Sequence, residues 1–302
     1  ALSKNDSPDI GFNYSMNPYR GCEHGCIYCY ARPTHEYLGY SAGFDFESRI
    51  LVKKNAPQLL REQLGHRKWR PEIIVLSGVT DCYQPVERKL ELTRACLKVL
   101  AEFKNPFSII TKNHLVTRDI DILTEMAADH AVKVCLSITT LEADLARVME
   151  PRTSVPLRRL EAIRKLSEAG IPVGVMVAPV IPALTDHEMP AIIKAAAQAG
   201  AETAGYVVLR LPFAVKPLFE DWLGNHFPDR KDKIISRIQE MRGGRMYDST
   251  FGSRMRGEGE FASQINQVFK MACRKAAISN SSAPLSTAAF RNPDHNQLSL
   301  FG

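Results

Sequence analysis

No apolar run in the chain is long enough to cross a bilayer, which excludes a helical membrane protein. No secretory feature precedes its seven cysteines, so they read as thiols of a reducing, cytoplasmic setting and not as a disulfide framework. Charge of one sign is in short supply too. A net +6 is an ordinary solvated surface. Its distribution is uneven, because residues 228–275 hold eleven Lys/Arg against six Asp/Glu, a possible polyanion footprint. With 302 residues and 45% hydrophobic content the chain can build a full core, most simply as one large domain. A start at Ala1 rather than Met reads as a trimmed piece.

Against these absences stands one dense stretch. Residues 20–30 read Arg-Gly-Cys-Glu-His-Gly-Cys-Ile-Tyr-Cys-Tyr, placing Cys22, Cys26 and Cys29 in a C-x3-C-x2-C spacing within a glycine-flanked loop. Thiolates so spaced suit three corners of a [4Fe–4S] cubane, leaving one iron open to a small-molecule ligand. A zinc site is the competing reading, and it would need His24, His35 or Cys82 to complete four ligands. A disulfide fits less well, since three clustered cysteines leave one over. Cys96, Cys135 and Cys273 fall inside expected elements and form no second cluster.

A repeating alternation follows the loop. Short apolar runs with β-branched residues at Ile73–Ser77, Phe107–Thr111, Val132–Ile138, Val173–Val180 and Ala204–Arg210 are separated by helix-period segments near Val86–Phe103, Arg118–Asp129, Val155–Ala169 and Asp186–Ala199, and a short strand expected around Phe12–Ser15, ahead of the loop, makes six. Repeated strand–helix units imply parallel strands with right-handed crossovers. The expected fold class is α/β, a partial (β/α)6 TIM-type barrel, with a doubly wound open sheet as runner-up. In either fold the carboxyl ends of the strands carry function, and there stand Gly78 to Asp81, Thr111-Lys112, Ser137-Ile138-Thr139 and Arg210. Singly, each is an ordinary cap or turn residue; together they favour a pocket. Asn55 is expected to cap a helix carrying Leu59, Leu60 and Leu64.

The run Cys22-x-x-x-Cys26-x-Tyr28-Cys29 resembles the signature of the radical S-adenosylmethionine (radical SAM) superfamily. The resemblance implies SAM chelated to the open iron, reductive cleavage to a 5′-deoxyadenosyl radical, hydrogen abstraction from a substrate, and a reductase or flavodoxin-type electron donor. Within the superfamily, most of residues 12–275 resembles the DNA-repair photolyase-like group that includes spore photoproduct lyases. That resemblance implies hydrogen-transfer roles near SAM for Tyr28 and Tyr30. It also implies SAM contacts from Gly78, Thr80, Lys112, Ser137, Thr139 and Arg152. The hydrogen-donating cysteine of the group falls at Gly78 here, and the nearest thiol, Cys82, is the candidate in its place. The Gly-Gly-Glu contact of many radical SAM enzymes is also missing, with Thr80-Asp81 in its place. Lys54 and Arg210 are candidate anchors for an anionic substrate, although such charges are usually just solvated.

The expected organisation is a lead-in over 1–11, the barrel over 12–220, a helical basic extension over 221–275 and a disordered tail over 276–302. The tail ends Gln297-Leu298-Ser299-Leu300-Phe301, which looks like the peptide that docks bacterial proteins onto the DNA sliding clamp. These features favour a radical SAM enzyme acting on a nucleic-acid base in DNA repair or maintenance, with DNA and the clamp as partners. The alternatives are a radical enzyme acting on RNA, peptide or a small metabolite, and a non-catalytic, clamp-associated zinc protein.

Overall fold

The computed structural model describes residues 2–281 and 283–293. Nine strands occur among them, β1 Leu2–Lys4, β2 Tyr14–Met16, β3 Tyr19–Arg20, β4 Leu51–Val52, β5 Ile74–Leu76, β6 Phe107–Thr111, β7 Val132–Ser137, β8 Val173–Val180 and β9 Thr203–Val208. The main sheet runs β1-β2-β5-β6-β7-β8-β9, parallel from β2 onward, with β1 added antiparallel at one edge; β3 and β4 form a separate pair. Parallel neighbours follow chain order with no reversal. A doubly wound sheet would reverse at a switch point, so the fold is the partial (β/α)6 TIM-type barrel.

Eleven α-helices accompany the strands in the described residues: α1 Phe44–Ser48, α2 Ala56–Gly65, α3 Glu87–Leu90, α4 Leu92–Glu102, α5 Ile120–Ala128, α6 Ala143–Met149, α7 Pro156–Glu168, α8 Met189–Gln198, α9 Val215–His226, α10 Lys231–Glu240 and α11 Gly259–Lys275. Their apolar stripes face the sheet, as Ala162, Ile163 and Leu166 do on α7 and Ile192, Ile193 and Ala196 on α8. The strand interiors and these stripes form the main core. A second cluster packs Cys26 and Tyr28 against Met149, Ile181, Phe219 and Trp222, so α6 and α9 seat the cysteine loop over the strand ends. Trp222 Nε1 donates to Val148 O at 3.1 Å and ties those two helices together.

Several expectations are corrected. The helix expected over Val86–Phe103 breaks at Glu91, which turns left-handed (φ 47°). The buried Glu87 carboxylate accepts from Thr93 N at 2.9 Å and Arg94 N at 3.3 Å, satisfying the free amides at the start of α4. Asn55 stands at the N-cap of α2, but its side chain makes no capping bond among the described residues. The loop between α10 and α11 lies along the open edge of β9: Val208 N donates to Met255 O at 2.9 Å, and buried Arg242 donates to Leu209 O at 2.9 Å. Helix α11 contributes Ile265, Phe269 and Ala272 to the main core. Part of the expected disordered tail is ordered, since Phe290 rests on Phe103 with ring centroids 6.5 Å apart and Arg291 N donates to Phe103 O at 2.9 Å. An aromatic side chain with an apolar neighbour to cover is the reason composition misled there. Residues 297–301 lie outside the described residues.

Candidate active site at the strand ends

The cysteine loop is shaped by two left-handed glycines, Gly21 (φ 81°) and Gly25 (φ 67°). A Cβ on Gly25 would lie 2.1 Å from Glu47 Oε2 and 2.3 Å from Arg152 Nη2, so any other residue there would have to displace that ion pair on a left-handed backbone that favours glycine. Arg32, buried at the start of the 3-10 turn Arg32–Leu38, holds the loop from within. Its guanidinium donates to Cys26 O at 3.0 Å, Gly25 O at 2.9 Å, Ala42 O at 3.1 Å and Gly43 O at 2.8 Å. Cys22 N donates to Phe46 O and Ile27 N to Met149 O. His24 reaches Asp81 Oδ2 at 3.4 Å and Asn113 Nδ2 at 3.2 Å, joining the loop to the ends of β5 and β6. Burial pulls the His24 pKa down, which favours a neutral imidazole.

Cys22 and Cys26 are buried and Cys29 half-buried. Burial pushes all three thiols up, Cys26 to about 12. Neighbouring cations oppose it, Lys112 and Arg159 at Cys26 and Arg32 and Lys112 at Cys29. Binding a cluster therefore displaces three protons, and these cations would offset the thiolate charge. Three thiol donors on one loop match the ligands that a cubane takes, each thiolate on a different iron, and His24, the histidine within the loop, is turned to Asp81 and Asn113.

Beside the loop lies a polar bridge across β6, β7 and β8. Lys112 Nζ donates to Ser137 Oγ at 2.8 Å and Ala178 O at 3.3 Å, and lies 5.8 Å from the centre of the Tyr28 ring. One of its three donors stays available for a ligand. Ser137 Oγ and Thr139 Oγ1 both donate to Ala178 O at 3.0 Å. The Tyr28 hydroxyl donates to the Glu150 carboxylate and lies 3.2 Å from Thr139 Oγ1. Glu150 in turn pairs with Arg159, both fully buried. Burial alone would raise the Glu150 pKa; the charges of Arg159 and Lys112 outweigh it and hold the group at about 2. Tyr28 therefore stays a phenol anchored to a carboxylate.

Tyr30 is 44% exposed, donates to Gly78 O at 2.8 Å, and carries the Arg210 guanidinium 5.2 Å above its ring. The strand ends thus bring Tyr28, Lys112, Ser137 and Thr139 into one cluster and Tyr30, Gly78 and Arg210 into another. Thr80 turns away, since its hydroxyl donates to Tyr19 O at 2.8 Å and its side chain is buried. Arg152 braces the outside of the loop, donating to Glu23 O and pairing with Glu47, where a SAM contact was expected. Cys82 has no accessible surface and packs in the main core, away from the open thiol position expected of a hydrogen donor. Lys54 is exposed beyond β4 and makes no side-chain bond among the described residues.

Sequence reasoning gave no positioning role to Arg32, His24, Asp81 or Arg159. Asp81 accepts from Thr111 Oγ1 at 2.8 Å, Lys112 N at 2.8 Å and Tyr83 N at 2.8 Å, which makes it the hub between two strand ends. Its place directly after Thr80 was the one signal available.

Comparison with known proteins agrees with this geometry. The pattern of the Radical SAM superfamily matches residues 16–196. An uncharacterized protein of Mycobacterium tuberculosis is 37% identical over 234 residues, 77% of this chain and 68% of that protein. One from Methanocaldococcus jannaschii is 34% identical over 178 residues, 59% of this chain and 64% of its own length. Among solved structures, a spore photoproduct lyase variant with bound AdoMet and dinucleoside spore photoproduct superposes with a TM-score of 0.62 at 17% identity, covering 90% of this chain and 76% of that one. At that identity the likeness shows the fold alone. With the superfamily pattern spanning most of the barrel and its three cysteines on the strand-end loop, this chain belongs to the radical SAM superfamily and is an enzyme.

Proposed function

We propose that Cys22, Cys26 and Cys29 hold a [4Fe–4S] cluster at which SAM is reductively cleaved to a 5′-deoxyadenosyl radical that acts on a nucleic-acid base in DNA repair or maintenance. The observation that carries the reading is the seating of the three-cysteine loop on the carboxyl ends of parallel strands, with Lys112 and a bonded hydroxyl pair beside it. When bound, cluster and SAM supply the radical; the chain supplies place and order. Arg32 fixes the loop carbonyls, and the Tyr28–Glu150–Arg159 chain fixes the floor. The remaining Lys112 donor is available for a carboxylate or ribose oxygen of SAM. Tyr30, with Gly78 and Arg210, faces the exposed side where a substrate enters.

Support for a nucleic-acid substrate comes from the basic segment 228–275 and from exposed aromatic side chains beside cations, Phe251 under Arg254 at 4.4 Å and Tyr30 under Arg210. The photolyase-like resemblance and the clamp-like peptide at residues 297–301 point the same way, to DNA and the sliding clamp as partners in the cytoplasm. The test is anaerobic reconstitution with iron and sulfide, then SAM and dithionite, with Cys26→Ala as control. Formation of 5′-deoxyadenosine by the wild type and its loss in the variant supports the radical step. Turnover stimulated by RNA or a peptide but not by damaged DNA would move the substrate to another class.

A further inference from the structure

The two edges of the open barrel are bridged by the lead-in and the loop before α11. Asp9 Oδ1 accepts from Gly252 N at 2.6 Å, its Oδ2 accepts from Arg254 Nε, and Arg254 Nη2 donates to Ser7 Oγ at 2.5 Å. The Asp9 and Arg254 side chains are only 7% and 14% exposed. Arg210 lies beside this loop, in contact with Met255, the residue after Arg254. Its Nε is buried without a hydrogen-bond partner among the described residues, and its Nη1 faces only Met255 Sδ at 3.6 Å. A backbone N–H and one guanidinium fork meet where one carboxylate now sits, and a second, under-used guanidinium lies alongside at Met255. Gly252 is left-handed (φ 89°) with open space where a Cβ would be, so the backbone there admits a close-lying oxyanion.

We propose that this seam is a phosphodiester-binding site, formed by Gly252 N–H, Arg254 and Arg210, which the Asp9 carboxylate fills until a nucleic-acid phosphate displaces it. The proposal rests on the nucleic-acid reading above and adds the site and its internal competitor. A carboxylate and a phosphodiester each offer two oxygens sharing one negative charge, the pattern a guanidinium fork and an N–H recognise. Aromatic surface flanks the site in the way base stacking requires. Phe251 is 57% exposed against Arg254, and Phe213, three residues beyond Arg210, is 76% exposed on a left-handed backbone (φ 48°). Tyr30 connects the seam to the cysteine loop, so a phosphate held there places its neighbouring base toward the reacting centre.

The test uses the anaerobically reconstituted full chain and a short fluorescent oligothymidylate, read by anisotropy across a salt series. Asp9→Asn keeps the shape and an oxygen for Gly252 N–H but removes the competing charge. It is expected to bind roughly three- to tenfold tighter than wild type. Glu168→Gln, the same charge change on an outer helix where Glu168 pairs with Arg164, is expected to leave affinity unchanged. Arg254→Gln and Arg210→Gln are expected to weaken binding and to lower the salt slope by about 0.7 for each phosphate no longer neutralised. If Asp9→Asn unfolds, the two arginine variants still decide. Unchanged or weaker binding by a folded Asp9→Asn, or unchanged binding by Arg254→Gln, overturns the seam site while wild-type DNA binding keeps the broader reading. No oligonucleotide binding by any form, with 5′-deoxyadenosine still produced, overturns both.

Discussion

Arg32 commits its guanidinium to four loop carbonyls, and lysine, a point charge without a planar fork, cannot replace that pattern. Arg32→Lys is expected to fold yet retain substantially less iron after reconstitution, measured as iron per chain against wild type. Glu150 carries a different load. Glu150→Gln leaves the buried Arg159 charge without its counter-ion, at a cost of about 3–5 kcal/mol in denaturant unfolding. A change below about 1 kcal/mol would mean that the pair is solvated in solution. Gly25→Ala forces a methyl into the Glu47–Arg152 pair on a left-handed backbone; lower iron content and roughly 1–3 kcal/mol less stability are expected. Of these residues, only the cysteines and the glycines beside them announce themselves in the sequence. Arg32 looks like any surface arginine, and His24 meets Asn113 and Asp81 only after the strands have come together.

At the scale of elements, helix α11 shows how much a local pattern leaves open. Its stripe of Ile265, Phe269 and Ala272 follows from helical spacing, but a stripe does not say what it covers. Here it covers β9 and α8: Phe269 lies 4.7 Å from the Tyr206 ring. Phe269→Ala is therefore expected to destabilise the barrel itself by about 3–5 kcal/mol in a single cooperative transition. An early separate transition for the C-terminal helices would show instead that they form an independent unit. The break at Glu91 and the short α6 escaped sequence reading for a related reason. Both depend on partners distant in the chain or on loop geometry, and α6 is too short for periodicity to mark.

For the whole molecule, the open sheet sets the terms. Consecutive parallel strands bring their carboxyl ends to one rim, so the cysteine loop, Lys112, Ser137 and Arg210 meet although they span nearly two hundred residues of chain. The edges are closed by contacts between segments from opposite ends of the sequence, Asp9 with Arg254. The distal peptide belongs to this scale as well. Removing residues 294–302 is expected to leave 5′-deoxyadenosine formation intact and to abolish co-migration with a sliding clamp on size exclusion. Retained co-migration would assign clamp binding to another surface.

The sequence by itself determined the cysteine spacing, the parallel strand–helix alternation and the polar residues following each strand, because these are local: periods, turns and neighbours a few residues apart. Only the tertiary structure decided which of those polar residues share a site. Thr80 is engaged by Tyr19 O, Arg152 by the outer face of the loop, and Cys82 by the core, while Tyr28, Lys112, Ser137 and Thr139 converge. The reason is physical. A buried donor or acceptor must find a partner, and which partner comes within hydrogen-bond reach is fixed by the register of strands far apart in the chain.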